Sequence, residues 1–269
     1  MDGSSIRHSL QRATGHISFV TNQNRVERLY QSGSAKLLLP RTHTDITEAV
    51  ILNTAGGLTG GDEFKHYLTT RESQLVVTTQ AAERIYESSS GPVEIDIHLN
   101  ASDGSILHWL PQETIFFNRS KLNRNIELHM SADSECLISE SMVLGRLAMG
   151  ETITDCSISD NWRIYRDDQL AHAESIRIKG DVNRILDSAP GVGGAKMMAT
   201  ILYLGPQAED LSSIMLSTSR QCASNCAVSC WDKKLVVRLV ADHVPTGRSD
   251  MIALLCRLRQ QQMPRMWQI

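Results

Sequence analysis

Between about Gly15 and Gly180 the chain is written in short runs whose apolar and polar residues alternate, each closed by turn residues at intervals of about ten. A period of two puts successive side chains on opposite faces of an extended chain, so this pattern admits strands and excludes helices. In VEIDIHLN, Val93, Ile95, Ile97 and Leu99 share one face while Glu94, Asp96, His98 and Asn100 share the other. The same texture recurs in EFKHYLTTR from Glu63, QLVVTTQ from Gln74, SILHWLP from Ser105, NIELHMSA from Asn125, ECLISESMVL from Glu135 and SIRIKGD from Ser175. Half-buried antiparallel strands are expected, and Asp103-Gly104 ahead of another apolar run predicts a hairpin there.

After Gly180 the period changes. DVNRILDS from Asp181 and EDLSSIMLSTSRQCA from Glu209 space their apolar residues as amphipathic helices do, and SDMIALLCRLRQQ predicts a last helix capped by Ser249. KMMATILYLG from Lys196 is continuously apolar, which suits a central strand, and AVSCW with KLVVRLVAD around Asp232 and Lys233 predicts a hairpin. The expected fold is therefore mainly β with a few helices (α+β). Stacked antiparallel or mixed β-sheets form one domain over residues 1–269, with helices concentrated in the C-terminal third and a short flexible segment over about 1–14.

A net charge of -3, from 27 Lys plus Arg against 30 Asp plus Glu, is too close to neutral for charge-driven binding to nucleic acid or an anionic membrane. No stretch approaches the ~20 apolar residues of a membrane span, and the N-terminus lacks the apolar middle of a signal peptide, so a cytoplasmic location is expected. The 6 cysteines are too sparse for a disulfide scaffold. Cys222, Cys226 and Cys230 cluster at a spacing that fits neither a zinc knuckle nor an iron–sulfur run, and packing as small hydrophobes is their expected role.

Signatures of catalysis are scarce. The glycines around Gly191, Gly193 and Gly194 fit neither a P-loop, because Lys196 is followed by Met197, nor a dinucleotide fingerprint. No HExxH pair brings two of the histidines onto one helix face. Gly56, Gly57, Gly60 and Gly61, in LNTAGGLTGGD, are expected to supply positive φ in a tight structural loop. Carboxylates are the remaining resource: Asp62, Glu83, Glu113, Glu140 and Glu151 all sit beside apolar or turn-rich segments. A buried carboxylate must be paired, hydrogen-bonded or hydrated. Glu140, flanked by apolar residues, is expected either to pair with a base such as Arg146 or to face a wet cavity.

Seven segments in order carry a resemblance: RLYQSGSAKLLLP from Arg28, LNTAGGLTGGD from Leu52, TTQAAERIYES from Thr78, WLPQETIFF from Trp109, LGRLAMGE from Leu144, DNWRIYRDDQL from Asp160 and QMPRMW from Gln262. Together they resemble the UreD (UreH) family of urease accessory proteins across nearly the whole chain. The resemblance implies a non-catalytic maturation scaffold with no tightly bound cofactor. It implies partners that are UreF-like and UreG-like proteins and apo-urease, assembly as a dimer through that accessory complex, and transient Ni2+ on its way through an internal polar tunnel. Asp62, Glu113, Glu140 and Glu151 carry over as tunnel-lining metal contacts, and Arg257, Arg259 and Arg265 are expected on a partner-docking surface. The competing reading is a carboxylate-based metal-dependent hydrolase, which needs Asp62, Glu113 and Glu140 to converge around one ion.

Overall fold

The computed structural model describes residues 11–42, 46–145, 153–186 and 193–268. The chain opens with β1 (Thr14–Asn22), β2 (Arg25–Gly33), β3 (Ala35–Leu38) and β4 (Thr47–Asn53), followed after the glycine loop by β5 (Glu63–Arg71), β6 (Gln74–Thr79) and the short β7 (Glu83–Ile85). The centre of the chain supplies β8 (Val93–Ser102), β9 (Ile106–Leu110), β10 (Thr114–Phe116), β11 (Lys121–Met130), β12 (Glu135–Leu144), β13 (Asp155–Arg166) and β14 (Gln169–Asp181). Then come α1 (Val182–Leu186), β15 (Met197–Leu204), α2 (Ala208–Ser219), β16 (Asn225–Trp231), β17 (Lys234–Ala241) and α3 (Val244–Arg259), with a 3-10 turn at Arg265–Trp267.

The strands form a 7-stranded sheet in the order β14-β13-β11-β8-β5-β1-β2 and a 10-stranded sheet whose main path is β16-β17-β15-β12-β9-β6-β4-β3. From β5 to β13 the chain steps back and forth between the sheets, and within each sheet the strands it lays down run parallel. Parallel neighbours need a crossover, and here the crossover is a strand of the opposite sheet rather than a helix. This corrects the expectation of successive hairpins. The alternation in VEIDIHLN places Val93, Ile95, Ile97 and Leu99 on the buried face as expected, but β8 pairs parallel with both β5 and β11. Asp103-Gly104 takes the positive φ values of a tight turn, yet that turn leads from the first sheet into the second. Among the described strands, antiparallel pairing is confined to the flanks: β1 with β2, β3 with β4, β13 with β14, and the β12-β15-β17-β16 end of the second sheet.

Three layers result. One apolar core lies between the sheets, built from residues such as Ile17, Leu68, Leu107 and Trp162. A second lies between the second sheet and the helices α2 and α3, and includes Leu137, Ile201, Leu211 and Leu254. β12 and β15 are covered on both sides, which explains their near-continuous apolar sequences. The last helix starts at Val244, with Pro245 in its first turn, so Ser249 lies inside it rather than at its cap. No helix among the described residues is long and apolar enough to cross a membrane.

Candidate functional site

Alternation on three strands converges three charges between the sheets. On β11, Arg124 shares its parity with Leu122, Ile126 and Leu128; on β13, Asp160 shares its parity with Ile158, Trp162 and Ile164; both rows face inward. On β12, Glu140 falls in register with Cys136, Ile138 and Met142, which face the first sheet. Arg124 and Asp160 are paired neighbours in the parallel ladder, so their side chains emerge side by side. The guanidinium donates from Nε to Asp160 Oδ1 at 3.0 Å and from Nη2 to Oδ2 at 2.7 Å, while Nη1 lies 2.5 Å from Glu140 Oε2. Nη1 also donates to Thr114 Oγ1 at 3.2 Å, and Trp109 Nε1 donates to Glu140 Oε1 at 2.8 Å.

Exposure is 4% for Arg124, 4% for Glu140 and 1% for Asp160, so the cluster is shielded from bulk water. Burial pushes the Glu140 carboxyl up to about 7 even though Arg124 and the Trp109 hydrogen bond pull the other way. For Arg124, burial favours the neutral form, but Asp160 and Glu140 outweigh it and hold the guanidinium charged. The base that pairs with Glu140 is therefore Arg124; Arg146, the partner suggested by sequence, lies outside the described residues.

Two cavities adjoin this cluster. The first, of about 270 Å³, runs in from Gly56, Gly57 and Glu83 to Arg124 and Glu140. The second, of about 390 Å³, is lined by Glu140 and Asp160 together with Ser175, Thr200 and Arg238. Glu140 lines both. At the second cavity, Arg238 donates twice to Glu174, at 3.0 and 2.6 Å, and once to Thr200 Oγ1 at 3.3 Å. His66 lines the first cavity with its Nδ1 lacking a hydrogen-bond partner among the described residues, and burial holds its imidazole neutral by lowering its pKa to about 4.

The other residues singled out by sequence take different places. Asp62 lines neither cavity: its Oδ1 accepts from the Ala13 N–H and its Oδ2 from the Thr59 N–H, both at 2.8 Å, which fixes the glycine loop against the start of β1. Glu113 turns toward α3 and pairs with Arg248 at 2.6 Å. Glu151 lies outside the described residues. Asp62, Glu113 and Glu140 thus have separate partners and do not form one ion site, which removes the geometric basis of the hydrolase reading. No group of three or more His, Cys, Asp or Glu side chains among the described residues is arranged to hold a metal ion.

Arg257 and Arg265 are exposed, but Arg259 is buried, donating to the Gln262 carbonyl and to His108 Nδ1, and so belongs to the interior rather than to a docking surface. Cys222, Cys226 and Cys230 pack as half-buried thiols against the helical layer, and burial pushes Cys226 up to about 12, far from thiolate chemistry.

The sequence profile described as UreD urease accessory protein matches residues 11–268. The chain belongs to the UreD family. It is 38% identical to the urease accessory protein UreD of Agrobacterium fabrum, over 96% of this chain and 92% of that protein. It is equally 38% identical to UreD of Rhizobium leguminosarum bv. viciae, over 98% of each chain, and to UreD 1 of Brucella abortus, over 97% of this chain and 96% of that one. These relatives are named as accessory proteins, and membership in their family makes this chain a non-catalytic accessory protein rather than an enzyme.

In this UreD-family chain the two carboxylates that line the first cavity differ in how they are neutralised. Glu140 has Arg124; Glu83 accepts from Asn53 Nδ2 at 3.1 Å on each oxygen and from the Arg84 N–H, and burial raises it to about 7. A raised folded-state value favours the fold fully below the ordinary 4.5, and that contribution is lost as pH climbs through about 7. Glu83→Gln removes this titration. Its unfolding midpoint is expected to match the wild type near pH 4.5 and to exceed it by several degrees at pH 8, read by thermal denaturation at both values. An equal midpoint at pH 8 would show that water in the cavity solvates the ionised carboxylate.

Proposed function

We propose that this protein assists urease maturation by passing nickel through its interior, from one cavity past Glu140 to the other, while docked on apo-urease with UreF-like and UreG-like partners in the cytoplasm. The observation that carries this reading is that Glu140 borders both cavities, so a carboxylate of the buried cluster is common to the two linings. Oxygen ligands suit transit: they hold a divalent ion loosely and release it, whereas a closed cage of thiolates and imidazoles retains it. The neutral imidazole of His66 and the carboxylate of Glu83 add donors along the first cavity without building a closed site. Arg257 and Arg265, exposed at the end of α3 and in the 3-10 turn beyond it, are positioned for polar contacts at the rim of a docking surface.

The test is co-expression of the chain with UreF-like and UreG-like proteins and apo-urease, followed by pull-down and by measurement of urease nickel and activity. Omitting the chain should abolish both nickel loading and the assembled complex. Glu140→Ala, in a folded complex recovered in normal yield, should lower the nickel content of urease several-fold. Full nickel loading with folded Glu140→Ala would overturn the passage through this cluster.

A further inference from the structure

We infer that Arg124 is a built-in stand-in for the transported ion: its guanidinium fills the seat between Asp160 and Glu140 that a hydrated divalent metal ion takes in passing, and it swings into the first cavity to yield that seat. This rests on the passage reading. The geometry supplies the reason. Arg124 lines the first cavity, Asp160 the second and Glu140 both, so the ion pairs themselves form the wall between the two spaces. An ion crossing that wall must separate Arg124 from at least one carboxylate.

Charge decides what can do so. With both carboxylates ionised, one guanidinium leaves the cluster with an excess negative charge, and a divalent ion in its place balances the pair. A fixed positive charge on the path would repel such an ion; a movable one that trades places with it keeps the seat neutralised at each stage. The seat also survives the exchange. Glu140 Oε1 is held by Trp109 Nε1 independently of Arg124, while the Asp160 oxygens that accept from Arg124 pass to the entering ion as the Asp160 backbone stays in the β11–β13 ladder.

The first cavity can receive the displaced guanidinium. Its 270 Å³ lies on the Arg124 side of the wall, Thr114 Oγ1 already accepts from Nη1, and the Glu83 carboxylate on the same lining has an amide and a backbone N–H as its hydrogen-bond donors. The chemistry selected is a hydrated divalent cation with an affinity for oxygen donors, held by two carboxylates and its own water. Occupation of the seat by Arg124 taxes metal affinity, because only the swung-out fraction can bind.

The experiment uses full-length wild type, Arg124→Gln and Arg124→Gln/Glu140→Gln, with NiCl2 as the probe, in equilibrium dialysis and thermal unfolding. Arg124→Gln should bind one nickel ion per chain about tenfold more tightly than wild type or better, and its unfolding midpoint should rise with NiCl2. The double variant should lose both effects. Nickel binding by Arg124→Gln no tighter than wild type overturns the exchange, as does a gain that persists in the double variant. An Arg124→Gln chain left unfolded at every nickel concentration also overturns it, since the replacing ion should restore the fold. No gain in Arg124→Gln alongside impaired urease loading in Glu140→Ala would sink the exchange and leave the passage. A gained site alongside normal loading through Glu140→Ala would do the reverse.

Discussion

Arg124→Ala is expected to lower the stability of the fold by about 3–5 kcal/mol at pH 8, the range found when one partner of a buried ion pair is removed. The substitution takes away the hydrogen bonds to both Asp160 oxygens, the ion pair to Glu140 and the bond to Thr114 Oγ1, and it leaves two carboxylates facing each other in the interior. Repulsion between them, not the lost contact area, dominates the cost. Protonation relieves it. Glu140 already sits near 7 with its base present, and a raised carboxylate favours the fold fully below 4.5 and loses that contribution as pH rises through its folded-state value. The defect of Arg124→Ala should therefore shrink steadily from pH 8 toward pH 5. Urea denaturation across that range measures it directly. Arg124→Met combined with Asp160→Asn and Glu140→Gln should recover most of the loss, because a neutral interior no longer holds an uncompensated charge. A pH-independent loss below 1 kcal/mol would mean that water from the adjoining cavities solvates the carboxylates.

The cluster is legible in the sequence in principle, although its apolar flanks single out only Glu140 among its members. Glu140 stands out because ECLISESMVL is apolar on both sides of it. Arg124 and Asp160 do not stand out because each sits in a strand that alternates with polar residues, where a charge is ordinary. The signal that finds them is parity: Leu122, Arg124, Ile126, Leu128 and Ile158, Asp160, Trp162, Ile164 put each charge on the apolar row. His66 obeys the same rule between Phe64 and Leu68. Strand identity and inward faces follow from such patterns because a period of two determines them. Pairing partners do not. Parallel and antiparallel strands share that period, and a tight turn such as Asp103-Gly104 can lead equally well to a neighbour in the same sheet or across to the other. Asp62 and Glu113 misled for a related reason: a carboxylate beside a loop serves as readily to cap backbone N–H groups or to anchor a helix as to face a cavity. Arg259 looked like part of a basic surface because the apolar side of α3 could not be told from its neighbours within a short run of Leu and Arg.

Gly60→Ala should cost about 2–4 kcal/mol, more than Gly61→Ala, even though Gly61 is the residue of the two that has positive φ. A Cβ on Gly60 would overlap Ser88 Oγ and the Gly91 carbonyl oxygen, and the second of these is backbone that cannot step aside. The same segment is tied to the loop from both directions, by Ser90 Oγ donating to the Gly60 carbonyl at 3.0 Å and by the Gly61 N–H donating to the Pro92 carbonyl at 2.9 Å. A Cβ on Gly61 meets the flexible end of Arg12 instead, so that position bears chiefly the strain of φ +88. The glycines of this loop therefore serve two purposes: Gly56, Gly57 and Gly61 supply positive φ, and Gly60 supplies room for close backbone approach. Chemical denaturation of the two alanine variants ranks the effects. The reverse order would mean that backbone strain outweighs crowding at Gly60. With the expected order, Gly60→Ala pushes the Ser88–Pro92 segment away from a loop whose Gly56 and Gly57 line the first cavity. On the proposed passage, nickel loading of urease should then fall through a distorted cavity rim, in a variant that keeps Glu140, Arg124 and Asp160 unchanged.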